Sequence, residues 1–74
     1  MIIWIAYCED RHIDPEMFGF RDRDKAIEKA REYMRDHVAY PAELQEEEID
    51  GVWYMNYAEE SDHAFVNAVN INDV

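Results

Sequence analysis

Asp22 to Val38 reads DRDKAIEKAREYMRDHV. Ala26, Ile27, Ala30, Tyr33, Met34, His37 and Val38 follow the i, i+3, i+4, i+7 spacing, so they predict one helix with a single apolar face. Asp22 or Asp24 can cap it, and acids in the first turn suit the helix dipole. Glu28, Lys29, Arg31, Glu32, Arg35 and Asp36 fall mainly on the other side. Glu28–Arg31 and Glu32–Arg35 then form i, i+3 pairs, each worth about 0.2–0.5 kcal/mol. On this reading the helix balances its own charge. A helix with one apolar stripe needs a surface to bury it, and the rest of the chain must supply that surface.

Working outward, Ile2 to Cys8 alternates as a strand. Ile3, Ile5 and Tyr7 share one face, and Ile2, Trp4, Ala6 and Cys8 the other. Apolar residues on both faces mark a central strand, or one with a helix on one side and a partner on the other. Ile13 to Phe20 gives a shorter strand, with Phe18 and Phe20 pointing the same way and Pro15 near its start. Beyond the helix, Tyr40-Pro41 is a stop. Ala42 to Glu48 suits either a short second helix begun by Pro41 or an acidic loop. Asp50-Gly51 is a turn signal. Val52 to Ala58 is a strand with Trp53, Met55 and Tyr57 on one face. Glu59-Glu60-Ser61-Asp62 is a turn, and His63 to Ile71 is the last strand. The order β(β)αββ predicts one α+β domain over residues 1–74. Its antiparallel sheet would have three to four strands, with the main helix packed on one face in two layers. The second sheet face is then exposed, or buried in a dimer or a partner.

Composition narrows the function. The chain is 74 residues long, 49% hydrophobic and 14% aromatic, too rich in rings for a disordered acidic tail. A chain this short has a small core and modest stability. Cys8 is its one cysteine, which excludes an internal disulfide framework and deprives a cysteine-based zinc site of partners. The N-terminal apolar run lacks a basic flank and is too short for a signal or a membrane span. The expected location is the cytoplasm, with no membrane association.

The charge is lopsided. Residues 1–35 hold all seven basic residues and eight acidic ones, a balance of −1; residues 36–74 hold ten acidic residues and no basic ones, −10. Ala42 to Phe65 alone holds eight carboxylates. Uncompensated like charge costs folding stability through self-repulsion, so a chain with so small a core has reason to avoid it. The acids fall in two clusters, Glu43/Glu46/Glu47/Glu48/Asp50 and Glu59/Glu60/Asp62, beside a strand that carries Trp53 and Tyr57. Aromatic anchors ringed by charge suit a protein interface. These residues form the candidate partner-binding set. Direct nucleic-acid binding is disfavoured, since phosphates require a basic patch.

Catalytic signals are weak. Cys8 and His12 are four residues apart but lack further ligands or a motif. Asp10, Asp14 and Glu16 lack the glycine and the distant glutamate of a calcium loop. No enzyme activity, cofactor or metal is expected.

A small, acidic, cysteine-poor chain with this element order, and with GFRDRDKAIEKAREYM (Gly19–Met34) running from a strand end into a helix, resembles small phage-encoded inhibitors. These include anti-CRISPR proteins, uracil-DNA glycosylase inhibitors and anti-restriction DNA mimics. The resemblance implies a stoichiometric inhibitor without cofactor, acting in the host cytoplasm. It would block a basic nucleic-acid-binding surface of a host protein. The alternative is an accessory domain that self-associates, a homodimer for example, with its acids serving solubility.

Overall fold

The computed structural model describes residues 1–9, 14–57 and 62–72. The chain runs β1 (Ile2–Glu9), β2 (Glu16–Phe20), α1 (Arg23–His37), a single 3-10 turn (Pro41–Glu43), β3 (Leu44–Ile49), β4 (Val52–Tyr57) and β5 (His63–Asn70). The five strands form one sheet in the order β2-β1-β5-β4-β3, with every neighbouring pair antiparallel. The first and last strands pair along their whole length at the centre, from Ile2 opposite Asn70 to Glu9 opposite His63. Helix α1 connects one sheet edge to the other and packs on one face. This is the expected two-layer α+β arrangement.

Local chemistry sets the helix ends. Asp22 is extended, and its carboxylate accepts from the Asp24 N–H at 2.8 Å, capping the first turn. Val38 leaves the helix, yet its N–H still reaches the Met34 carbonyl at 3.1 Å. Ala26, Ile27, Ala30, Tyr33 and Met34 are buried, as the spacing predicts. His37 is not: it is exposed at the last turn and stacks on Tyr33 with ring centroids 3.9 Å apart.

The core lies between α1 and one sheet face. Ala6, Cys8, Ala64 and Val66 on the central strands meet Ala26 and Ala30 on the helix, all with no exposed surface. Small side chains on both layers let the helix come close. Trp53, Met55 and Tyr57 then fill one flank, and Trp4, Phe18 and Phe20 the other.

Two expectations are corrected. Ala42 to Glu48 is neither helix nor loop beyond the 3-10 turn; Leu44–Ile49 is the edge strand β3, so the sheet has five strands instead of three to four. It pairs with β4 through the two-residue turn Asp50-Gly51, whose φ values of 51° and 80° are both left-handed. That geometry matches the right-handed twist of a tight hairpin. Second, α1 does not keep its cations to itself. Arg31 pairs with Glu46 and Arg23 with Glu48, both on β3, and the i, i+3 pair present among the described residues is Lys29–Glu32 at 3.7 Å. Among the described residues, no helix is long and apolar enough to cross a membrane.

Candidate interaction surface

The expected partner-binding residues divide between the two faces. Trp53 and Tyr57 point under the helix and are 5% and 7% exposed, so they are core residues. Asp62 is also buried, and its carbonyl accepts from the Tyr57 N–H. Glu43 is exposed in the 3-10 turn, and Asp50 is exposed in the hairpin turn. Glu46, Glu47 and Glu48 are exposed on β3, where the alternation of a strand sends the outer two to the helix side and Glu47 to the other. Glu59 and Glu60, with the turn expected there, lie outside the described residues.

On the helix side the acids are structural. Arg31 Nε and Nη2 lie 3.1 and 2.7 Å from Glu46 Oε1, and Trp53 Nε1 donates to the same oxygen at 2.9 Å. The Arg31 guanidinium also sits over the Trp53 ring, 5.7 Å from its centroid. This clasp holds the Glu46 carboxyl below the usual carboxylate range, with the Arg31 hydrogen bond the largest cause and the Trp53 bond a further one. Arg23 repeats the arrangement, lying over Trp4 while pairing with Glu48. A groove of about 650 Å³ between helix and β3 is lined by these same arginines, but Glu46 and Glu48 already engage Arg31 and Arg23.

The opposite face has no described element over it. The strand registers bring one residue from each strand into a single row, Glu47–Tyr54–Phe65–Tyr7–Met17. Tyr7 and Phe65 stack at 4.9 Å, and Tyr54 lies 6.2 Å from Phe65. Beside the row, Ile5 faces Gly19 and Asn67, Ile3 faces Val69, and Ile49 faces Val52. Ile49 and Val69 are about half exposed, and Met17 is 69% exposed. At the far side of the row, His63 meets Glu9 at 3.2 Å. Burial and the Glu9 charge push the Tyr7 phenol up. Among the described residues, no strand contains a lysine or an arginine.

Sequence reading did not single out Tyr7, Met17 and Phe65, which lie on the open face. The signal was present in the two-sided apolar pattern of Ile2–Cys8. The row itself becomes legible only when β1 is known to pair with β5.

Chemistry elsewhere is sparse. Cys8 has no exposed surface; burial first, then the Glu16 charge, push its thiol up to about 11, so it presents no thiolate near neutral pH. His12, its expected neighbour, lies outside the described residues. Among the described residues, no three His, Cys, Asp or Glu side chains are grouped to hold a metal ion. Comparison of the chain with family models, with curated proteins and with solved structures finds no match.

Proposed function

We propose that the chain is a non-catalytic interaction domain that docks on a basic surface of another protein through the open face of its sheet. The observation that carries this reading is the row Glu47–Tyr54–Phe65–Tyr7–Met17 on a face whose described strands contain no lysine or arginine. Exposed rings in a row can stack nucleic-acid bases, but a base platform also needs cations for the phosphates. This face offers Glu47 and Glu9 instead. Aromatic faces beside carboxylates suit arginine and lysine side chains, which stack on rings and pair with acids. Glu43, Glu47 and Asp50 add steering charge at the rim.

Basic protein surfaces of this kind commonly hold nucleic acid, so occupancy would make the chain a stoichiometric inhibitor. That finer role rests on the resemblance to small phage inhibitors and on the net charge of −11. Stacking two copies face to face is the weaker reading, because it sets the Glu9 and Glu47 rims of two acidic chains together.

The test is capture from a nuclease-treated bacterial lysate with the wild-type chain, Phe65→Ser and Glu47→Lys. The recovered protein is then purified, and its nucleic-acid affinity is measured with and without the chain. The reading expects capture that is lost at high salt, lost with Phe65→Ser, weakened with Glu47→Lys, and competitive with nucleic acid. Capture unaffected by both substitutions would place the contact elsewhere and sink the proposal.

A further inference from the structure

The sheet has two edges, and charge guards only one. β3 carries Glu46, Glu47 and Glu48 in succession and turns at Asp50. Charges on an exposed edge keep it from pairing with another chain. β2 closes the opposite edge with Glu16-Met17-Phe18-Gly19-Phe20. After Glu16 it bears no charge, and Pro15 lies before the strand, so each residue of β2 keeps its N–H.

Gly19 is the second observation. Glycine inside a strand costs backbone entropy and packs nothing. The single chain does not ask for it. Its φ is not left-handed, and a Cβ there would meet Ile3 Cγ2 at 3.5 Å and Ile5 Cδ1 at 3.7 Å, which is ordinary contact. The gap opens outward, onto a groove of about 320 Å³ walled by Ile5, Tyr7, Met17, Phe65 and Val69.

We propose that β2 pairs antiparallel with β2 of a second copy, Phe18 facing Phe18 across a two-fold axis. Only this register overlaps the whole strand. It sets Met17, 69% exposed in the single chain, over Gly19 of the second copy, and the symmetry repeats the fit. The side chain fills the place the glycine leaves bare. The contact suits a second copy, which supplies both Met17 and the gap, and in this register each Glu16 faces Phe20, so the two carboxylates lie at opposite ends of the paired strands. It leaves both acidic β3 edges at the far ends of one continuous sheet. The two aromatic rows then lie on the same side of that sheet. The pairing needs no basic partner, so its test is separate from that of the docking face.

Sedimentation equilibrium of the full chain, from micromolar to millimolar concentration, is the first measurement. The wild type should form a dimer, and Met17→Lys should weaken association by about tenfold or more with an unchanged circular dichroism spectrum. The second measurement mixes Met17→Cys with Gly19→Cys under mild oxidation. Opposed Cα atoms on paired strands lie about 4.5–5.5 Å apart, within disulfide reach, whereas 17 and 17 are diagonal. The mixture should therefore cross-link more than either variant alone, and Cys8, fully buried, does not compete. A monomer throughout the range overturns the proposal. So does a dimer without the preferential mixed cross-link, which would point to another contact or to an edge kept for a foreign strand. Should Met17→Lys unfold, the cross-link decides.

Discussion

The two faces of the sheet draw on the same residue types and put them to different use. Beneath α1, Ala6, Cys8, Ala64 and Val66 are sealed against Ala26, Ala30 and Met34, and the rings of Trp53 and Tyr57 are nearly covered. On the other face Tyr7, Tyr54 and Phe65 lie in a row and are only partly covered. Apolar content alone therefore does not separate the core from the open face in this chain. What separates them is which side the helix covers, and the helix has only one apolar stripe to give. The cations follow the same division. Arg23, Lys29 and Arg31 each lie over a ring on the helix side, at Trp4, Phe18 and Trp53. The open face receives none of them from its strands.

The largest effect that can break this comparison is on stability. Met34 is 1% exposed. Met34→Ala should cost about 2–5 kcal/mol by chemical denaturation, from lost burial and the cavity left behind. Phe65→Ser removes a larger but only partly covered side chain from the open face and should cost less, about 1–2 kcal/mol, from a cross-strand aromatic contact and partial burial. Comparable losses at the two positions would show that the open face is core after all.

Cys8 probes the covered face without a substitution. Its thiol, pushed up to about 11, should react with an alkylating reagent at pH 8 about a hundredfold more slowly than in the denatured chain. Burial slows it further. Labelling at the denatured rate under native conditions would mean that the helix does not seal the central strands.

Much of this division was open to sequence reading. The apolar stripe, the Asp22 cap and the alternation in β1, β4 and β5 each depend on neighbours within a few residues, and such signals are local. β3 was not legible by the same means. Leu-Gln-Glu-Glu-Glu-Ile has no apolar alternation, and glutamate is a poor strand former, so propensity argued for helix or loop. The one signal for it was indirect: a tight Asp-Gly turn requires a strand on both sides. The acids misled for a related reason. Glu46 and Glu48 looked unpartnered because Arg31 and Arg23 lie 15 and 25 positions earlier, and only the sheet order brings them together. The aromatic row has the same origin. Tyr7 and Phe65 are far apart in the chain, and their stacking depends on the long-range pairing of β1 with β5.

Glu46 sharpens the comparison at the helix side. Its folded carboxyl titrates below the ordinary carboxylate value, because Arg31 and Trp53 bond to the ionised form. The folded state thus binds this proton less readily than the unfolded state. The stabilisation is fully present above the ordinary carboxylate range and is lost as pH falls through the lowered folded value. Its side chain is 39% exposed, so water screens the pair and the contribution should be no more than about 1 kcal/mol. Glu46→Gln should therefore lower the melting temperature slightly at neutral pH and match the wild type in strong acid. A gap that persists unchanged in acid would assign the effect to packing around Trp53 instead of to the ion pair.

The smallest expected effect bears on the β2 edge, and its sign carries the information. In a single chain Gly19→Ala should stabilise by about 0.5–1 kcal/mol, because a Cβ meets Ile3 and Ile5 at ordinary distance and the unfolded chain loses freedom. If Met17 of a second copy needs that gap, the substitution also weakens the dimer, and association stabilises the folded state by mass action. The two terms then oppose each other with different concentration dependence. At low concentration the variant should melt above the wild type. As concentration rises, the wild type gains more, and the difference should shrink and then reverse. An advantage for Gly19→Ala that stays the same at every concentration would mean that nothing occupies the gap, and the edge would then be left unpaired.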